Sequence, residues 1–177
     1  RPVILVAGSV RKDLPERDSF VEHLDVYEGY TEPPIERRSR TLAEMGLADG
    51  KVGFETNFIS VADWEALRAR LPRMRTADCV ALMDHVRAVK TKAELARLKF
   101  GADMLDDAFL ACFPTVRPGI RERDLHAALT AYCLSHGSEF THGILNSSRN
   151  TVAYGGESDF AFAAGDAIRT DYVAYVR

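Results

Sequence analysis

Cysteine and histidine are the residue types best suited to bind metals or move protons. The chain contains three cysteines and five histidines. Cys79, Cys112 and Cys133 are widely spaced and flanked by apolar residues, with no CxxC pair and no histidine at zinc-finger spacing. We interpret them as small buried hydrophobic side chains, so they predict no zinc site.

The histidines are also dispersed along the chain. His136 precedes Gly137 at the end of a predicted helix, where a cation interacts favourably with the helix dipole. His142 lies in Phe-Thr-His-Gly at 140–143, and its ordinary interpretation is a strand or loop residue with a hydrogen-bonded ring. Three histidines belong to no recognisable constellation: His23, His85 and His126.

The composition is that of a folded globular protein. The chain has 177 residues, of which 46% are hydrophobic and 28% charged, with a net charge of −3. Lys and Arg are interspersed with Asp and Glu, so no basic surface for nucleic acid or an anionic membrane is predicted. No apolar run approaches the roughly 20 residues needed to span a bilayer. The odd number of thiols and the lack of a signal peptide predict a cytoplasmic location.

The first part of the chain alternates strand and helix patterns, which is typical of an open α/β sheet. The strands are predicted at 3–7 and 51–55, and the helices at 35–45 and 61–71. Gly46 and Pro72 end the two helices. The charged, proline-containing stretch 13–34 is predicted to be loop with one strand near Val26 and Tyr27.

A boundary between two units is predicted within 84–91, followed by two helices and a strand. Thr91 and Glu94 form a capping-box pattern that begins a helix over 92–113, and a second helix is predicted over 122–136. A strand is predicted within 166–176. Helical spacing predicts that these helix residues are largely buried: Leu98, Leu105, Phe109, Leu125, Leu129 and Tyr132.

Four short motifs follow one another in this second part. They are Arg-Ala-Val-Lys-Thr-Lys-Ala-Glu at 87–94, Arg-Pro-Gly-Ile-Arg-Glu at 117–122, Ser-Ser-Arg-Asn at 147–150 and Gly-Asp-Ala-Ile-Arg-Thr-Asp at 165–171. In this order they resemble the opening half of the pita-bread catalytic domain of Xaa-Pro aminopeptidases, prolidases, creatinases and methionine aminopeptidases.

The resemblance implies the fold class and the domains. Residues 1–84 are expected to form part of an α/β N-terminal domain of the creatinase/prolidase type, which most methionine aminopeptidases lack. Residues 91–177 are expected to form the first half of an α+β pita-bread domain. Two positions depart from the family motifs, since Arg121 replaces a small hydroxyl residue and Ser148 replaces a glycine.

The same resemblance implies a metal centre in the complete enzyme. Members of the family bind two divalent ions (Mn, Co, Zn or Fe), and Asp171 matches the first of their ligands. Strand alternation places its side chain on one face with Arg169, Val173 and Tyr175. Because one carboxylate does not hold two metals, residues 1–177 are expected to bind none by themselves, and a solvated carboxylate is the alternative interpretation of Asp171.

The acid–base position of the family differs in this chain. Family members place a histidine five residues after the asparagine of the third motif, where this sequence has Gly155. His142 is the candidate substitute. Tyr154 and Arg149 are predicted to line a substrate pocket, although loop packing accounts for them equally well.

The expected function is hydrolysis of the bond before proline by a metal-activated water, in a homodimeric Xaa-Pro dipeptidase or aminopeptidase. Its substrate would be a small peptide, and the 177-residue chain is expected to be inactive. Two alternatives remain open because of Gly155: a creatinase-like hydrolase of a small amide, and a non-catalytic pseudo-peptidase that binds other proteins.

Overall fold

The computed structural model describes residues 3–8, 13–152 and 157–176. The chain divides into two compact units, Arg1–Val89 and Lys90–Arg177. They are called the first unit and the second unit below.

The first unit alternates strands and helices. Its elements in chain order are β1 (Ile4–Ala7), α1 (Asp13–Asp18), β2 (Leu24–Tyr27), α2 (Pro34–Glu44), β3 (Lys51–Phe54), α3 (Val61–Arg70), β4 (Arg75–Asp78) and α4 (Val80–Ala88). Strands β1 and β2 pair in parallel, and so do β3 and β4. This arrangement confirms the predicted α/β character of the unit.

The core of the first unit lies between α2, α3 and the start of β4. Its buried residues are Ile35, Leu67, Leu71 and Met74. The Ser60 hydroxyl begins α3 by accepting a hydrogen bond from the Asp63 N–H, at 3.1 Å. Gly46 has a φ of 77° directly after α2, which is the left-handed conformation that glycine adopts at helix C-termini.

The first residues of the predicted boundary, 84–88, are helical, because α4 runs from Val80 to Ala88. Neither glycine nor proline interrupts this segment, so its helical propensity persists as far as Ala88. The stretch 13–34 contains α1 as well as the expected strand, which is β2.

The second unit consists of two helices and an antiparallel hairpin. Its elements are α5 (Lys92–Cys112), a 3₁₀ turn (Phe113–Thr115), α6 (Glu122–Ser135), β5 (Phe140–Ser147) and β6 (Ile168–Tyr175). The hairpin register runs from the Phe140–Tyr175 pair to the Ser147–Ile168 pair. The buried hydrophobic core includes Met104, Ala108, Cys112, Leu125, Leu129, Cys133, Leu145 and Phe162.

The beginning of α5 confirms the predicted capping box. The Glu94 N–H donates to the Thr91 hydroxyl at 3.2 Å, and the Thr91 N–H donates to the Glu94 carboxylate at 2.7 Å. At the start of α6 the chain has Arg121 rather than a hydroxyl residue, and Asp124 accepts from the Arg121 N–H at 3.1 Å. Both helices therefore begin where the sequence predicts.

The predicted phase of α5 is wrong by about one residue. Leu98 is 58% exposed, whereas the buried face consists of Gly101, Met104, Ala108 and Cys112. Gly101 lies against β6, because a β-carbon added to it would be 3.6 Å from the Ala174 carbonyl oxygen. Because glycine has no side chain, its burial does not register in a hydrophobic pattern.

The remaining burial predictions are confirmed in different degrees. Leu125 and Leu129 are almost fully buried, and Leu105, Phe109 and Tyr132 are half-buried beside them. Cys112 and Cys133 are buried as predicted, and burial raises the pKa of both thiols, while Cys79 is partly exposed. Among the described residues, no helix is long and apolar enough to cross a membrane.

Candidate functional site

A buried carboxylate connects two of the four motifs. Glu122, the first residue of α6, is 0% exposed. It accepts hydrogen bonds from the Ser147 N–H at 2.7 Å, from the Asn150 amide at 3.0 and 3.1 Å, and from the Ser158 hydroxyl at 2.7 Å. The third motif, Ser-Ser-Arg-Asn, forms a turn at the end of β5, which we call the 147–150 turn. Glu122 holds this turn through Ser147 and Asn150.

The segment from 158 to 162 encloses the start of α6 and supplies part of this environment. The Glu122 N–H donates to the Phe160 carbonyl and the Arg123 N–H to the Ser158 carbonyl, both at 3.0 Å. Farther along, Phe162 is buried and exchanges backbone hydrogen bonds with Gly119 and Ile120. The bonds from Glu122 and Arg123 satisfy two N–H groups in the first turn of α6 that have no partner within the helix.

On its other side the 147–150 turn is held by an ion pair. The Arg149 guanidinium donates to both oxygens of Asp166, at 2.6 and 3.0 Å, and to the Ala161 carbonyl at 2.9 Å. It also lies 5.0 Å from the centroid of the Phe160 ring. Hydrogen bonding from Arg149 lowers the pKa of Asp166 to about 2, so this carboxylate is ionised at neutral pH.

The predicted role of Arg149 in a substrate pocket stays a prediction. The structure places its guanidinium on Asp166, which is a positioning contact for the turn. Asp166 belongs to the fourth motif, so the ion pair connects the third motif to the fourth as Glu122 connects the second to the third.

A cavity of about 250 Å³ lies between the 147–150 turn and the start of β6. The Ser148 N–H donates to the Ala167 carbonyl at 2.8 Å, and the Ala167 N–H donates to the Ser148 hydroxyl at 3.1 Å. The cavity is lined by Ser147, Ser148, Asn150, Ala167, Ile168 and Arg169. Its lining therefore combines polar side chains with the apolar Ala167 and Ile168 and contains one cationic side chain, Arg169.

The hairpin presents Asp171 on its exposed face. Residues of β6 alternate between partly buried and exposed, and Asp171 is exposed together with Arg169, Val173 and Tyr175, which confirms the predicted alternation. His142 is exposed and pairs directly with Val173, so it lies on the same face as Asp171 and diagonally across from it. The structure thus brings two of the predicted site residues together.

The candidate metal centre is incomplete within the described part of the chain. Residues 3–8, 13–152 and 157–176 contain no group of three or more His, Cys, Asp or Glu side chains that could hold a metal ion. The residues present therefore do not fit a two-metal centre by themselves, and Asp171 remains its one predicted ligand. Tyr154 and Gly155 lie outside the described residues.

His126 was predicted to belong to no constellation, and this is wrong. Its Nδ1 lies 2.6 Å from the Tyr172 hydroxyl, and its Nε2 lies 3.5 Å from the Glu157 carboxylate. Burial raises the pKa of the Tyr172 hydroxyl. Because α6 and β6 are brought together only by folding, nothing in the local sequence around His126 could reveal this contact.

His136 lies where the sequence predicts, at the C-terminal end of α6. Its Nδ1 lies 2.8 Å from the Tyr132 carbonyl, and its ring stacks on the Tyr132 ring with centroids 3.9 Å apart. These local contacts account for this histidine without a role in chemistry.

The fold is that of the N-terminal domain and first part of the pita-bread domain in prolidases and aminopeptidases P. The X-Pro aminopeptidase from Thermotoga maritima superimposes with a TM-score of 0.78 at 18% identity, over 98% of this chain and 49% of that chain. This likeness defines the class by fold, an α/β unit followed by the helices and hairpin described above.

Curated proteins of related sequence are peptidases. An uncharacterized peptidase of Bacillus subtilis is 25% identical over 146 residues, which is 81% of this chain and 41% of that protein. An Xaa-Pro dipeptidase of Lactobacillus delbrueckii subsp. lactis is 27% identical over 59% of this chain and 27% of its own length. The chain thus spans less than half the length of either relative. No protein-family model matches the chain.

Proposed function

We propose that this chain provides the N-terminal unit and part of the catalytic domain of a metal-dependent hydrolase that cleaves Xaa-Pro dipeptides. The observation that carries the proposal is the exposed face of the hairpin, where Asp171 and His142 lie together. Asp171 would be one of several ligands to two divalent ions (Mn, Co, Zn or Fe). These ions would lower the pKa of a water molecule and so supply the nucleophile.

The chain's own residues would bind and orient the substrate. The cavity beside β6 is large enough for a small peptide, and Arg169 connects it to the face that carries Asp171, because the two side chains alternate onto the same side of the strand. His142 is the candidate to hold or move a proton at its ring nitrogens, since it is exposed on that face. The curated relatives, named as an uncharacterized peptidase and an Xaa-Pro dipeptidase, support the proposed class of reaction.

We further propose that the 177-residue chain is inactive by itself. Activation of water by two metals requires several converging ligands, and Asp171 supplies one of them. The remaining ligands would come from the part of such a domain that corresponds to the regions of the relatives not covered by this chain.

The test has two stages. Isothermal titration of the 177-residue chain with Mn and an assay on Gly-Pro should both be silent; tight binding of two Mn ions would contradict the placement of the ligands. In a longer polypeptide that contains this chain and the rest of such a domain, hydrolysis should depend on Mn. There, D171A should lower kcat/KM by more than about 100-fold, while K99A on the exposed surface of α5 should not change it.

A second candidate function is favoured by Gly155, which occupies the position where the motif resemblance implies a histidine. A creatinase-like hydrolase of a small amide, or a pseudo-peptidase that binds proteins, would be compatible with that substitution. Parallel assays of the longer polypeptide on creatine and on Gly-Pro distinguish the three. Activity on Gly-Pro selects the peptidase, activity on creatine alone selects the amide hydrolase, and silence on both with Mn bound selects the binding module.

A further inference from the structure

We propose that Glu122 is a positioning residue: its buried carboxylate fixes the 147–150 turn and, through that turn, the wall of the cavity beside β6. The inference rests on the proposed function in one respect, namely that the cavity binds substrate. It concerns the arrangement of the chain itself, however, and is tested without any hydrolysis.

The first argument is the chemistry of the carboxylate. Glu122 is fully buried, and a buried carboxylate is tolerated only where hydrogen bonds replace water. Three groups direct donors at it: the Ser147 N–H, the Asn150 amide and the Ser158 hydroxyl. A glutamine would place its own NH₂ group against at least one of these donors. The site therefore requires an acceptor at both oxygens.

The second argument is the rigidity of the anchor. Glu122 belongs to α6, and the next two turns of that helix insert Leu125 and Leu129 into the core. The turn follows β5, whose last residues are also buried. The carboxylate thus connects an irregular segment to a fixed helix, which is the arrangement that holds a site wall in one geometry.

The third argument is that the turn carries contacts that do not touch Glu122. Arg149 reaches Asp166 and the Ala161 carbonyl, and Ser148 exchanges hydrogen bonds with Ala167 across the cavity. If Glu122 positions the turn, its loss will weaken these remote contacts. If Glu122 only adds stability to α6, they will persist in the folded variant.

The side-chain Nε–H of Arg149 reports this coupling, because it donates to Asp166 at 2.6 Å. The experiment records its ¹⁵N–¹H signal and the exchange rate of the Ser147 amide in the ¹⁵N-labelled 177-residue chain. In E122Q we expect the Ser147 amide to exchange about tenfold faster or more, and the Arg149 Nε–H signal to lose its protection. N150A removes the side-chain link to the turn and leaves the carboxylate the Ser147 and Ser158 donors, so it should give smaller changes in the same direction with less risk of unfolding.

S158A is the control, since it removes one hydrogen bond from the same carboxylate, together with the bond from the Phe160 N–H to the Ser158 hydroxyl, and none from residues 147–150. It should keep the Arg149 signal protected. The double variant E122Q/N150D, in which the amide and the carboxylate exchange places, should recover part of the protection that E122Q loses. Folded E122Q and N150A proteins with Arg149 and Ser147 protected as in the parent would overturn the proposal. So would equal loss of protection in S158A. None of these outcomes depends on peptidase activity.

Discussion

Arg149 and Asp166 form a bidentate ion pair that fastens the 147–150 turn to the loop before β6. The two N–O distances are 2.6 and 3.0 Å. The carboxylate also accepts from the Ala163 N–H at 2.7 Å, and its side chain is 3% exposed. The pair makes the geometry of the turn dependent on the charge of Asp166.

The first prediction concerns acid. The pKa of Asp166 is lowered from 3.8 to about 2 in the folded chain. A carboxylate with a lowered folded-state pKa contributes stability that is present above its unfolded-state pKa and is lost as the pH falls toward the folded-state value. D166N should therefore be less stable than the parent at pH 7, and the difference should diminish between about pH 4 and pH 2.

Urea unfolding at several pH values measures this difference. D103N serves as the control, because Asp103 forms an exposed pair with Lys99 within α5. A D166N defect that is unchanged from pH 7 to pH 2 would show that the charge of Asp166 does not matter.

A second prediction compares two leucines on the paired helices. L129A should lower the free energy of unfolding by about 2–5 kcal/mol, since Leu129 is 1% exposed in the core. L98A should change it by less than about 0.5 kcal/mol because Leu98 is 58% exposed. Far-UV circular dichroism in urea follows the unfolding. The fluorescence of Trp64, the single tryptophan, reports separately on the first unit.

The third prediction concerns Gly143 in β5. A β-carbon at this position would lie 2.4 to 2.6 Å from atoms of the Tyr172 ring, so the ring must move and its contact with His126 must change. G143A should therefore cost about 1–3 kcal/mol of stability. In a double-mutant cycle, Y172A should relieve most of this cost. Additive effects of G143A and Y172A would contradict the predicted steric conflict.

The fourth prediction tests the capping box of α5. T91A removes the hydroxyl that accepts from the Glu94 N–H, and it should cost about 1 kcal/mol. T91S keeps the acceptor and should be close to the parent. Amide exchange of residues 92–95 measures the effect locally, and equal protection in both variants would show that this hydroxyl is not needed.

Local signals in the sequence predicted much of the second unit. The Thr91–Glu94 pattern and the stripe containing Leu125 and Leu129 depend on neighbouring residues, so helix starts and the inner face of α6 were predictable. Strand alternation likewise predicted that Asp171 shares a face of the strand with Arg169, Val173 and Tyr175. Where a signal is local, physical rules about one helix or one strand are sufficient.

Features that depend on distant residues were not predictable in this way. β4 has little apolar character, and it is a strand because it pairs with β3 in parallel. The burial of Gly101 depends on its approach to β6. Glu122 was recognised as the end of a motif, but its contact with Asn150 joins residues 28 positions apart. The one sequence signal for this contact was that the second motif contains a carboxylate and the third motif an amide, within the same unit.

The three-way contact among Glu122, Ser147 and Asn150 also constrains how this site can change during evolution. A substitution at position 122 alone leaves donors without an acceptor, and one at position 150 alone removes a donor from a buried charge. Sequences that descend from this one should therefore alter positions 122 and 150 together or not at all. Position 147 contributes its backbone N–H, which proline would remove, and its buried hydroxyl accepts from the Arg149 N–H at 3.2 Å. We therefore expect only small polar residues at this position.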